Sequence, residues 1–264
     1  MIVGIAVTLG LFTALLGALE IGRWARRRMA DSESYDSTAA DAVVFGVLGL
    51  LIAFTFNSAA SRFDERRDLI NDQANALRVA WTRLDLLPEL DREPIRACMR
   101  EWLEIVLETL PADPDVDSPE FNQPMNRARQ LQQRAWHLAM ESADRQPKPQ
   151  YAALVLNPID QWIDLSATRL ATNNRGMPTT VMIALVLLSL AAAVLAGFHA
   201  ARHPRRSPLH MIVFAGVIAM LLYLMVDLML PRSGLIRIKR ADKAMKGLYE
   251  NMIAESPATT KSSR

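Results

Sequence analysis

The chain has 264 residues, 51% of them hydrophobic and 22% charged, with a formal net charge of +2. A mean hydropathy of +0.10 at that charge content requires apolar residues gathered in blocks, with the charges elsewhere. This excludes a simple soluble globule, a disordered chain and a collagen-like repeat, and the near-balanced charge makes no case for nucleic acid.

The first apolar block, residues 2–19, carries no charge. No basic segment precedes it and arginines follow it, so a membrane helix is expected rather than a cleavable leader. Glu20, Arg23, Arg26, Arg27 and Arg28 then read as an interfacial anchor. The second block, residues 42–56, is extended by the small residues of 57–60. A helix needs about 20 apolar residues to cross about 30 Å of hydrocarbon, so this block suits a helix shielded by neighbours. Between Gly49 and Pro88 there is no proline or glycine, so one rod can leave the membrane and continue into solvent.

Residues 61–177 form a polar middle. Ile70, Ala74, Leu77, Ala80, Trp81, Leu84 and Leu87 recur at three-and-four spacing, the mark of an amphipathic helix. Pro88 and Pro94 bracket a turn, with Pro94 expected in the first turn of a second helix bearing Ile95, Met99, Trp102, Leu103 and Val106. The Pro-, Asp- and Ser-rich stretch 111–124 reads as a loop, 125–142 as a third helix, 147–149 as a linker and 152–174 as a fourth helix. The third apolar block, residues 179–201, is broken only by His199, and the fourth, residues 211–230, by Asp227. From Lys239 onward the chain holds one weak helix and then a Ser/Thr/Lys tail, read as disordered.

The expected fold is therefore all-α: four transmembrane helices plus an extramembrane helical bundle between the second and third. Four segments follow: 1–60, the first transmembrane helix pair; 61–177, the polar helical domain; 178–231, the second pair; and 232–264, an amphipathic and disordered tail. Helices follow because only helices or closed barrels satisfy their backbone hydrogen bonds in a bilayer, and the longer apolar blocks are of helix-spanning length.

Chemistry is sparse. No phosphate loop, nucleophile elbow or HExxH motif is present. Cys98 is the single cysteine, which excludes an internal disulfide framework and a CxxC site. His199, His203 and His210 cluster near the connection between the third and fourth blocks, but that connection holds no carboxylate or thiolate. They read as loop and interface histidines beside Arg202, Arg205 and Arg206, and His137 stands apart. Carboxylate pairs such as Asp64-Glu65 and Glu101/Glu104 sit among arginines and read as solvated ion-pair faces. No metal, cofactor or enzymatic activity is expected.

The stretch after the second block carries a family resemblance. Phe54, Asn57, Arg62, Glu65 and Arg67 stand at the spacing of the second helix of bestrophins. Thr55 replaces an arginine there, Ala60 an aromatic residue, and Ile70-Asn71 a Trp-Gly pair. The bacterial bestrophin-like subgroup is matched further, by Arg66-Arg67, by Asp72-Gln73-Ala74-Asn75 and by the run from Arg83 to Pro88. The run from Asp227 through Pro231 and Gly234 to Ile238 also resembles the subgroup, with Met229 and Leu230 in place of its second acidic residue and first arginine.

This resemblance implies a homopentameric ion channel whose second helix lines the pore and whose helical middle forms a cytosolic vestibule. It implies that Leu50 and Phe54 form the neck. Val47 and Asn57 share their face, so a ring of Leu and Phe would gate by dewetting. Because the stretch is apolar all round, lipid contact or helix packing competes for the same face. Arg62, Glu65 and Arg67 are expected to form ion pairs between helices just outside the bilayer. Asp227 is either functional, as an acid near a membrane helix end, or an interfacial residue bridged to Arg232 or Arg237. The implied partners are the bilayer, further copies of the chain and small ions. A bacterial inner-membrane location follows, with the middle domain cytoplasmic: the larger basic count near the middle-domain ends favours this, against the four arginines after the first helix. A non-conducting scaffold or sensor whose helical domain binds a protein partner is the competing function.

Overall fold

A computed structural model describes residues 2–29, 38–109, 118–145, 149–173, 178–201, 208–229 and 239–255. All regular structure among them is helical: α1 (Ile2–Arg28), α2 (Thr38–Arg83), a 3-10 turn (Leu84–Leu86), α3 (Glu89–Thr109), α4 (Pro119–Asp144), α5 (Pro149–Asn173), α6 (Thr179–Ala200), α7 (Pro208–Met229) and α8 (Lys239–Ala254). Four stretches are long and apolar enough to cross a membrane: Ala6–Arg28, Asp41–Leu86, Thr179–Ala200 and Leu209–Leu228. The fold is thus all-α with four candidate spans, as the hydropathy blocks require. The chain divides into two compact units, Met1–Phe63 with Gly176–Ile236 and Asp64–Arg175 with Arg237–Arg264.

In the first unit α1 packs on α6 and α7. The α1–α6 contact is set by glycine. A Cβ on Gly22 would fall 1.9 Å from the Val194 carbonyl oxygen, and one on Gly197 would fall 2.0 Å from that of Leu19. Only hydrogen fits there, so the backbones meet as they do at small-residue crossings in membranes. Leu15, Leu19, Leu185, Ala192, Ala193, Ala215 and Met225 fill the surrounding core. Phe45 of α2 meets Phe214 of α7 edge to face, with centroids 6.3 Å apart. Buried Ser189 donates to the Leu185 carbonyl at 2.7 Å, which satisfies its hydroxyl within its own helix.

In the second unit α3 packs on α4 and α8, and α4 on α5. Trp102 of α3 stands edge-on to Trp162 of α5 at 5.0 Å. A buried polar node crosses this core. The Ser166 hydroxyl accepts from Gln73 (2.7 Å) and Gln132 (2.8 Å) and donates to the Trp162 carbonyl (2.7 Å). Arg169 in turn donates to the Gln73 amide oxygen at 2.6 Å. Arg96, also buried, lies 4.6 Å from the Trp81 ring centroid and 2.9 Å from an Asp85 carboxylate oxygen. Burial holds the Cys98 thiol above its ordinary range, against the opposing pull of Arg134.

Two sequence expectations change, and the helix expected from Lys239 is present as α8. The proline-rich stretch 111–124 is not a loop to its end, because Ser118 caps α4 by accepting from the Phe121 N–H at 3.3 Å and Pro119 occupies the first turn. Pro94 lies inside α3 rather than in its first turn, since the helix already begins at Glu89. The C-terminal helix also has a packed place: Met245, Leu248 and Met252 are buried, and Glu255 accepts from the Trp81 indole at 2.6 Å. Residues 110–117 and 256–264 lie outside the described residues.

Candidate functional site

The first half of α2 has two contrasting faces. Asp41, Leu48, Thr55 and Ala59 are 7%, 3%, 4% and 0% exposed. Val47, Leu50 and Phe54 are 49%, 58% and 64% exposed, and Asn57 is exposed with them. At about 100° per residue the two sets are centred about 145° apart. The four residues singled out from sequence therefore share one stripe, which leads on to exposed Ser58 and Ser61. Beside this stripe runs a flank of small exposed residues, Ala42, Gly46, Gly49 and Ala53. Beyond its own stretch of helix, a Cβ built on Gly46 or Gly49 meets nothing within 4 Å among the described residues.

Thr55 lies on the opposite face from Leu50 and Phe54, and its hydroxyl donates to the Leu51 carbonyl at 2.6 Å. A threonine can bury itself there because its one donor is met by its own helix. Arg67 lies 3.3 Å from Asp64 and 3.2 Å from Asp68, while Glu65 is exposed and Arg62 half-buried. Asp227 is 3% exposed, and the Tyr223 hydroxyl hydrogen-bonds to it. Arg232, Arg237, Pro231 and Gly234 lie outside the described residues.

One polar pair was not foreseen. His199 of α6 has its Nε2 against the carboxylate of Asp41, the buried residue at the start of α2. The carboxylate that the α6–α7 connection lacks is supplied by a residue 158 positions away. Among the described residues no group of three or more His, Cys, Asp or Glu could hold a metal ion.

Four apolar spans, two helical units and a long second helix with one face exposed among the described residues define a multi-pass helical membrane protein. The chain belongs to the bestrophin-like domain family, whose model matches residues 9–242. Its fold is similar to that of a point mutant of a bacterial bestrophin homologue from Klebsiella pneumoniae, with TM-score 0.74 and 11% identity over 94% of this chain and 99% of that one. It is also similar to a zinc-phased structure of a bestrophin homologue from the same organism, with TM-score 0.71 and 14% identity over 96% and 99% of the two chains. At these identities the likeness is one of fold. No curated protein sequence matches the chain significantly.

Proposed function

We propose that this protein is a homo-oligomeric ion channel, pentameric by analogy with bestrophins, in which α2 from each copy lines the pore. Val47, Leu50 and Phe54 form its apolar neck and Asn57 the polar mouth. The observation that carries this is the exposure of that stripe while the opposite face of α2 is buried. Lipid contact would explain Leu50 and Phe54, but it does not explain why Asn57, Ser58 and Ser61 extend the same side of the helix. The small flank from Ala42 to Ala53 further favours assembly, because small residues let a neighbouring helix approach closely. A ring of Leu50 and Phe54 conducts only when wet, so widening or polarising it favours the conducting state. In the bacterial inner membrane this reading places the second unit on the cytoplasmic side.

The test is planar-bilayer recording of purified protein, beside imaging of particle symmetry in detergent. The expected result is a five-fold ring with ion currents that grow in Leu50→Ser and Phe54→Ala. A ring of intact symmetry that passes no ions, in the parent and in both variants, overturns the channel. Capture of a stoichiometric soluble partner alongside that silence selects the scaffold instead.

A further inference from the structure

The last turn of α1 carries Arg26, Arg27 and Arg28, at the end of the apolar span Ala6–Arg28. The one carboxylate within α1 itself, Glu20, pairs with Arg23 at 2.7 Å. Among the described residues Arg26 and Arg28 meet aromatic rings instead. The Arg28 guanidinium carbon lies 4.2 Å from the Trp24 ring centroid, and that of Arg26 lies 5.1 Å from the Phe198 ring centroid on α6. Stacking engages the flat face of a guanidinium and leaves its in-plane N–H donors pointing outward. Arg27 and Arg28 are exposed. Ile21 and Trp24, 59% and 55% exposed, stand with Arg28 at i, i+3 and i+7. That spacing makes one outward stripe. Along it the surface passes from aliphatic to aromatic to cationic, the order met on going from acyl chain to headgroup.

We infer that this end of α1 is a binding surface for an anionic phospholipid, with the headgroup phosphate held by Arg27 and Arg28. Trp24 sits at the level of the lipid backbone, where amphipathic aromatic rings are favoured. Ile21 takes the upper part of the acyl chain. Guanidinium forks match phosphate oxygens two at a time. A free inorganic phosphate would use the arginines but gain nothing from Ile21 and Trp24, so the combination selects a lipid. A zwitterionic lipid offers the phosphate with its own cation beside it, so net charge selects an anionic one.

The experiment reconstitutes the full chain into nanodiscs of mixed phosphatidylglycerol and phosphatidylcholine and measures, by mass spectrometry, the phosphatidylglycerol that stays with the protein on extraction. One arginine near the surface is worth about a fivefold preference for anionic lipid. The double variant R27Q/R28Q should therefore lose about 25-fold. The control K243Q/K246Q on α8 removes the same charge and should retain the parent's enrichment. Added salt should weaken the parent's enrichment without any mutation, a readout independent of whether the variant folds. Parent-like enrichment in R27Q/R28Q, equal loss in the α8 control, or enrichment indifferent to salt each overturns the inference. A change in oligomer size with unaltered lipid retention also overturns it and makes this face a contact between copies.

Discussion

Gly197→Ala probes the closest helix contact in the membrane unit. The new Cβ would fall 2.0 Å from the Leu19 carbonyl oxygen and 2.7 Å from its carbon. Ordinary van der Waals contact begins at 3.4 Å, so α1 and α6 must part by about 3.4 − 2.0 = 1.4 Å at the crossing. The obstacle is backbone, so no change of rotamer relieves it. A gap of about 0.5–1 Å already forfeits a quarter to a half of a dispersion well. The flanking residues Leu15, Ala18, Leu19, Ala192 and Ala193 are each 7% exposed or less, so all of them lose contact. Lost packing and overpacking together cost about 2–4 kcal/mol. Alanine's better helix propensity returns about 1 kcal/mol, which leaves a net loss of about 2 kcal/mol. At about 2–4 °C per kcal/mol, the melting temperature falls by about 4–8 °C. The assay is thermal loss of helical circular dichroism in a single detergent. Gly17→Ala is the matched control: beyond its own stretch of helix, its Cβ meets nothing within 4 Å among the described residues, so it should melt at or above the parent. A Gly197→Ala protein that melts within about a degree of the parent would refute the close crossing.

Three further outcomes follow from the packing. Ser166→Ala strands the side-chain amides of Gln73 and Gln132 without their shared acceptor, and each lost bond at a buried donor costs about 1–3 kcal/mol; an unchanged denaturant midpoint would dismiss the polar node. Asp41→Ala removes the carboxylate that faces His199 and should lower the melting temperature, with Asp41→Asn restoring part of it through its amide oxygen; equal melting of both variants and the parent would argue against the pair. The third outcome concerns alkaline pH. Burial lifts Cys98 above its ordinary 9.0, and burial together with the charge and hydrogen bond of Glu104 lifts Tyr249 above 10.0. The folded state thus keeps protons that the unfolded chain gives up. The stability from these groups is intact below their ordinary values and is lost as pH rises through the folded ones. The denaturant midpoint should fall at alkaline pH, and Cys98→Ser/Tyr249→Phe should flatten that fall; an unaltered slope would count against the burial of both groups.

In the second unit the end of α2 and α3 are legible from apolar residues at three-and-four spacing, as in Ile95, Met99, Trp102 and Val106, all of which are buried. Composition alone misplaces the start of α4, because it counts proline, aspartate and serine as breakers. Proline is favoured in a first turn, where its missing N–H would have had no partner, and serine is favoured at the cap. The stripe of α2 was legible for a different reason. Its residues look alike in hydropathy: a resemblance singles out Leu50 and Phe54, and helical spacing adds Val47 and Asn57 on the same face. Their exposure, with Leu48 and Thr55 buried opposite, needed the neighbouring helices in place.

Local regularity along the chain determined the existence of four apolar spans, the unbroken second helix and the amphipathic faces, because these depend on residues three or four positions apart. Tertiary structure decided what joins distant positions. Examples are Asp41 against His199, Glu255 on the Trp81 indole, and Gly22 and Gly197 as the places where two backbones touch. A sequence shows which donor, acceptor or missing side chain a residue brings. Which partner meets it depends on how helices far apart in the chain come together, and no periodicity within one helix encodes that.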